Sequence, residues 1–489
     1  MLVTFVGSDN FFLTNAFFDA MGDIAINIDS VTSTEVTLTN TSTGATTTLI
    51  GSGFVEMGGD VVAGTITSMD FMQGGSTVAT IADFSLTTTD FSQLLSDYEN
   101  DQFGSTAAFF NSTGSLTLNA TGGIAGLNQN AAWADFNDLI TVPITINGTV
   151  FDDNLTGGTG NHADTIQGGG GDDRITGGGG SDLLIGGAGV DTINAGTGND
   201  TVTGGAGGDI IQGNGGDDVI SGGPDAGADT INGGTGNDEL GGGNGDDLLS
   251  GDSGADVISG GDGEDIINGG TGNDTVAGGA GDDVVSGDDG DDVMIGGLGE
   301  DTLLGADGND RINGNGNDDI LSGDAGNDTL SGGLGNDFAR GQIGDDSVRG
   351  NDGDDGLFGN EGNDTLFGDT GNDQLSGGSE NDLLIGGVGD DTILGGVGND
   401  NINGGGDNDS LSGGAGVDNF VFVASFGDDV ITDFEEGIDR VTIGGFTAGD
   451  VTEVASGSDL ILEVAGGGDI TVLNGVADNF DLTTDVFFV

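Results

Sequence analysis

The chain has 489 residues, with 84 acidic against 5 basic side chains, a formal net charge of −79, no Cys and one His. So few cations cannot neutralise a phosphate backbone, which excludes nucleic-acid binding, and the lack of Cys removes disulfides, thiolate nucleophiles and Cys-based metal sites. His162 alone cannot form a zinc-binding His pair, and no apolar run reaches the ~18–20 residues of a membrane-spanning helix.

Residues 1–147 are rich in Thr, Ser and Phe and carry no basic residue. They read as mostly β. Ile24, Ile26 and Ile28 alternate, Val36 and Leu38 follow, and a turn falls at Ser42–Ala45. A second strand pair brackets Gln73–Ser76, and a short helix is expected near Asp90–Glu99, where Phe91, Leu94, Leu95 and Tyr98 stand at helical spacing behind Thr89. Met1–Asn10 has no positively charged stretch, so no Sec-type signal peptide is expected.

Residues 148–421 form a repeat array. After an imperfect unit, GTVFDDNLT at 148–156, the chain runs through 29 units of nine residues to GGAGVDNFV at 413–421, two of them lengthened by two residues (157–167 and 222–232). Position 8 is apolar, as in Ile175, Leu184, Leu249 and Ile402, and position 6 is Asp throughout. Those aspartates are Asp164, Asp173, Asp182, Asp191, Asp200, Asp209, Asp218, Asp229, Asp238 and Asp247 in the first third. They continue as Asp256, Asp265, Asp274, Asp283, Asp292, Asp301, Asp310, Asp319, Asp328 and Asp337. The last are Asp346, Asp355, Asp364, Asp373, Asp382, Asp391, Asp400, Asp409 and Asp418.

One apolar side chain in nine residues cannot make a core alone, so the units must stack. Positions 7–9 are expected to form a short strand with position 8 inward and positions 7 and 9 outward, and positions 1–6 to form the turn. Four of the five Arg fit this: Arg174 and Arg311 at position 7, Arg340 and Arg349 at position 9. Gly at positions 1, 2 and 4 suits a backbone with positive φ or in close approach to a neighbour.

If two units make one turn of a two-sided coil, aspartates 18 residues apart stack at about 4.8 Å. At that distance like charges repel by about 0.9 kcal/mol even in water. Folding therefore demands an added cation. Carboxylates with main-chain carbonyls of a Gly-rich turn are all-oxygen, flexible donors, which suits Ca²⁺ over Mg²⁺, Zn²⁺ or iron. Residues 157–421 carry 53 acidic residues and 4 Arg, a charge of −49; one ion per Asp pair allows at most 27 sites, or +54.

Units such as GGTGNDTVA (269–277) and GGAGDDVVS (278–286) closely resemble the repeat of the RTX (repeats-in-toxin) proteins. The resemblance implies an all-β fold, a right-handed parallel β-roll solenoid of nonapeptide repeats at 148–421. It also implies Ca²⁺ between successive turns, held by the position-6 Asp side chains and turn carbonyls. Position 4 departs from the pattern at Asn317, Glu380 and Asp407.

Residues 422–489 return to alternating apolar patterns. GDDVITDFEEGIDRVTI (427–443) and the terminal Asp485–Val489 resemble the region after RTX arrays in substrates of type I ABC secretion systems. That implies a β-rich C-terminal cap combined with an uncleaved secretion signal, and an extracellular protein whose partners are calcium, the export apparatus, and the cell surface or extracellular matrix. Residues 1–147 would then be a β-rich adhesive, assembly or capping module. The alternative is an exoenzyme. No His precedes His162 and no G-x-S-x-G elbow occurs, so zinc-protease and Ser-His-Asp chemistry have no residues in 1–147. A carboxylate-pair glycosidase is the form of that alternative left open. A pore-forming cytolysin would need long apolar helices and acylated Lys; Lys is absent. An ice-binding face would need a regular Thr row, but Thr197, Thr235 and Thr271 are interrupted by Gly215 and Ser253.

Overall fold

A computed structural model describes the strands of the first 142 residues, then residues 143–157, 160–423, 426–456, 459–473 and 485–489. The chain divides into two compact units, Met1–Asn244 and Gly245–Val489.

In the first unit, the early strands pair antiparallel, two of the pairs bracketing the turns expected at Ser42–Ala45 and Gln73–Ser76. Ile26–Val31 pairs with Glu35–Asn40, and that strand with Thr46–Met57. Asp60–Gln73 folds back on Ser76–Ala82 with Gln73 opposite Ser76. The helix expected near Asp90–Glu99 lies outside the described residues. Parallel stacking begins at Ile144–Asn147, which pairs with Leu116–Asn119 on one side and Thr165–Gly170 on the other. Across the lengthened unit 157–167 the step is 20, as in Ile146 beside Ile166, and past it the register advances by 18 residues per turn, for example Ile175 beside Ile193 and Ile193 beside Ile211. The two-residue insertion at 222–232 makes the step 20, Ile211 beside Ile231, without shifting the inward column.

The second unit repeats this plan from Leu248–Ser253 onward, with successive units alternating between two parallel sheets. Each strand from Leu248–Ser253 to Ser410–Ala415 covers six residues, as in Thr365–Thr370, so it spans positions 7–9 and positions 1–3 of the next unit. The expectation of three-residue strands and six-residue turns is corrected here. Position 1 faces inward with no side chain, so the backbone stays extended through it and the turn shrinks to positions 4–6.

Burial alternates with period two, as the pleat requires. In the second unit, position 8 builds the core with Leu249, Ile267, Val285, Leu303, Leu321 and Ala339 in one column. Phe420, Phe422, Ile431, Val441 and Ile443 carry that core into the C-terminal segment. There Asn419–Val423 pairs with Arg440–Gly444, and Arg440–Gly444 with Val486–Phe488, all parallel. In the other sheet, Asp469–Val472 turns antiparallel against Asp459–Val464, which pairs with Val451–Ser456. Phe426 packs edge-on to Phe422 at 5.2 Å and to Phe446 at 6.3 Å, so bulky rings close the end that small repeat residues leave open.

Candidate metal centre

Every turn places its position-6 Asp at the bend, with the side chain folded inward and buried. One carboxylate oxygen, Oδ1, accepts the amide of the equivalent Asp one turn earlier. In the first unit these ladders run from Ile144 through Asp164, Asp182, Asp200 and Asp218 to Asp238, and from Asp153 through Asp173, Asp191 and Asp209 to Asp229. In the second, one ladder runs from Asp247 through Asp265, Asp283, Asp301, Asp319, Asp337, Asp355, Asp373, Asp391 and Asp409 to Asp429. The other runs from Asp256 through Asp274, Asp292, Asp310, Asp328, Asp346, Asp364, Asp382, Asp400 and Asp418 to Asp439. All the aspartates picked out by the repeat thus fall into these stacks, including Asp164 and Asp229 of the lengthened units.

The second oxygen tells a different story. Oδ2 is buried without a hydrogen-bond donor in each turn from Asp173 to Asp218 and from Asp265 to Asp418, and again at Asp429. A buried polar atom left unpaired costs about 1–3 kcal/mol, and a whole column of them marks a place built for something else. Burial accordingly pushes these carboxyls up, against the opposing effect of the accepted amide. Asp173 rises to about 7 and Asp391 to about 8, with neighbouring aspartates adding repulsion.

Main-chain oxygens surround the same spot. A methyl group on Gly368, at position 1, would stand closer than 3.0 Å to Asp373 Oδ2 and to the Gly386 carbonyl oxygen. At positions 2 and 4, a methyl group on Gly387 or Gly389 would meet the carbonyl oxygens of Asp369 and Gly371 in the preceding turn. The three glycines therefore serve two ends. Positions 2 and 4 need positive φ; position 1 keeps a cradle open beside the carboxylate. Where positions 2 and 4 are not Gly, φ lies between 68° and 84°, as at Asn351, Asp369, Asn317, Glu380 and Asp407. Turns that depart from the repeat at position 4 thus keep the bend. Hard oxygen donors, one ionisable group and several carbonyls, fit calcium. Among the described residues no three His, Asp or Glu side chains converge as a metal cluster.

Two members of the stacks, Asp429 and Asp439, lie outside the repeat units read from sequence, while Asp153 occupies the position-6 slot of the imperfect unit at 148–156. Asp429 and Asp439 sit in G-x-D-x-apolar stretches at 427–431 and 437–441, half of the repeat without its glycine pair, and that half was the available signal. Asp153 opens its ladder, and its Oδ2 accepts the Thr149 amide at 2.6 Å and the Thr149 hydroxyl at 3.0 Å. Asp439 ends its own ladder, with Oδ2 accepting the Glu435 amide at 2.7 Å. At these two terminal turns protein donors thus fill the position left unpaired at Asp429, the end of the other ladder, and in the turns named above.

A second ladder, which the repeat pattern did not announce, runs along position 5 on the exposed rim. Asn309 donates its amide to Asp291, Asn327 to Asn309, and Asp345 to Asn327, at 2.9–3.0 Å. It runs in the opposite sense to the Asp ladder, because here the later turn donates. Among the described residues no helix is long and apolar enough to cross a membrane. His162 is partly buried in its lengthened unit, and its main chain lies against Gly180.

No curated protein matches the chain. Among solved structures, the R3 subunit of the AlgE6 mannuronan C5-epimerase from Azotobacter vinelandii is similar at 26% identity, covering 24% of this chain and 77% of that one, with a TM-score of 0.21. The extracellular lipase LipA of Serratia marcescens is similar at 20% identity, covering 46% of this chain and 40% of that one, with a TM-score of 0.15. The RTX calcium-binding nonapeptide repeat matches in overlapping blocks from residue 159 to residue 420. With the stacked aspartates and the parallel coil, that match over more than half its length makes the chain a member of the RTX calcium-binding repeat family.

Proposed function

We propose that this chain is a secreted protein that folds on meeting calcium outside the cell and acts in a structural, adhesive or surface-associated role, with no catalysis of its own. The unpaired, buried Oδ2 column carries the reading. Each Asp of that column offers this oxygen to an ion, and the carbonyls of positions 1, 2 and 4 complete the donor set. Millimolar external calcium suits the 10⁻⁴–10⁻³ M affinities of extracellular modules. In a calcium-poor cytoplasm the same carboxylates would repel one another and hold the array open for export through a type I ABC system. The C-terminal region 422–489 would be the segment that system engages, and residues 1–147 the module presented outside.

Far-UV circular dichroism of the purified chain during calcium titration tests this, with magnesium as control. A cooperative gain of β signal at roughly 0.1–1 mM Ca²⁺ and none with Mg²⁺ is expected. A complete β signal in excess chelator would overturn it.

A further inference from the structure

In the second unit, the sheet that begins at Leu248–Ser253 carries an unusual outer face. Its position-7 residues stand in register as Leu248, Ile266, Val284, Thr302, Ile320 and Phe338. Leu248, Ile266, Val284 and Ile320 are 44–54% exposed, which is high for aliphatic side chains in a row that only Thr302 interrupts. Together they leave on the order of 400 Å² of contiguous apolar surface, a size at which patches on monomers are often functional.

Two residues before each member, on the exposed rim of the same turns, stand Asp246, Glu264, Asp282, Glu300 and Asp318. Glu264 donates its amide to Asp246 at 3.0 Å and Glu300 to Asp282 at 2.8 Å, so this column too is in register. It gives way to Asn336 on the rung where Arg340 stacks on Phe338 at 4.4 Å, so both columns end together. The opposite sheet has no such pairing. There, position 7 reads Val257, Thr275, Val293, Arg311, Thr329 and Ser347, beside Ala255, Asn273, Asp291, Asn309, Asn327 and Asp345.

We propose that this face docks a basic amphipathic α-helix. The apolar row repeats every ~4.8 Å along the coil. A helix laid along it presents one side chain per 5.4 Å turn, whereas an extended strand presents one every ~6.6 Å on a face. Across six rungs the helix drifts by about 3 Å and needs about 16–18 residues. Its apolar stripe at i, i+3, i+4 and i+7 meets the position-7 row, and a flanking row of Lys or Arg meets the acid column. A second copy of this chain fits badly. It would bring the same acid column against its twin, and the patch is about half the ~800 Å² per partner of a stable interface.

The test uses the calcium-loaded full chain and a fluorescent 18-residue Leu/Lys peptide with Leu at helical spacing, read by anisotropy. The control is a peptide of the same composition scrambled so that no apolar stripe forms. The helical peptide is expected to bind at least about tenfold more tightly than the scrambled one. The double variant Ile266→Thr/Ile320→Thr should weaken it by about tenfold or more, since Thr302 already occupies this row without breaking the sheet. A second variant, Glu264→Gln/Asp282→Asn, should weaken it severalfold and flatten its salt dependence. Calcium-induced circular dichroism confirms that each variant folds. Equal binding of the two peptides, no binding, or binding indifferent to the Ile variants would overturn the proposal. So would a calcium-loaded dimer, seen by sedimentation, that the Ile variants return to monomer.

Discussion

At the scale of single residues, the repeat works by subtraction. Position 2 has positive φ, and Gly387, at φ 126, faces the Asp369 carbonyl of the preceding turn. Asp369 itself holds the same place at φ 72, the left-handed region that Asn and Asp tolerate. Gly387→Val should therefore cost about 2–3 kcal/mol in thermal unfolding at saturating calcium, and Gly387→Asn under about 1 kcal/mol. Removing a stacked carboxylate acts with opposite signs in two conditions. Asp373→Asn should destabilise the calcium-loaded chain by roughly 1–3 kcal/mol and raise the calcium midpoint. In chelator it removes one repelling charge, so the residual β signal should not fall. The aspartates were readable from periodicity alone. Which oxygen stays unpaired was not, because Oδ1 is taken by an amide 18 residues earlier in the chain, a neighbour that exists only after the turns stack.

At the scale of elements, the six-residue strand and the rim ladder are the parts that pattern reading missed. The first was hidden because a glycine at position 1 reads as a turn signal, although here it is an inward strand position emptied to admit a carboxylate. The second was hidden because position 5 varies, with Glu264, Glu300 and Ala255 among the Asn and Asp, and sets no period of its own. Asn363 shows its contribution. It donates from its amide and side chain to Asp345 and accepts from Asn381. Asn363→Ala should cost about 1 kcal/mol and shift the calcium midpoint less than Asp364→Asn does, because the rim bonds are exposed and Asp364 is buried. Calcium titrations of the two variants side by side check this.

At the scale of the whole molecule, the buried aspartates couple folding to pH. Without metal, the folded-state carboxyls lie above the ordinary value, at about 7 for Asp173, Asp283 and Asp355 and about 8 for Asp391. A raised acid binds more protons folded than unfolded, so its contribution is full below about 4 and is lost as pH rises to about 7–8. The metal-free chain should accordingly gain β signal in chelator as pH falls from 8 towards 5. With calcium the dependence reverses, because protons compete for the same oxygens and the calcium midpoint should rise on acidification. Circular dichroism at fixed pH values, with and without chelator, reads both trends. From the sequence by itself came the number and order of the turns, the register of the aspartates and the charge that calls for a cation, since each is a local periodic property of the chain. Only the tertiary structure decided which oxygen is left unpaired, that position 1 points inward, that Asp429 and Asp439 join the stacks, and that an apolar row stands beside an acid column. Those are relations between residues 18 or more apart, and they come into being only when the coil closes one turn upon the next.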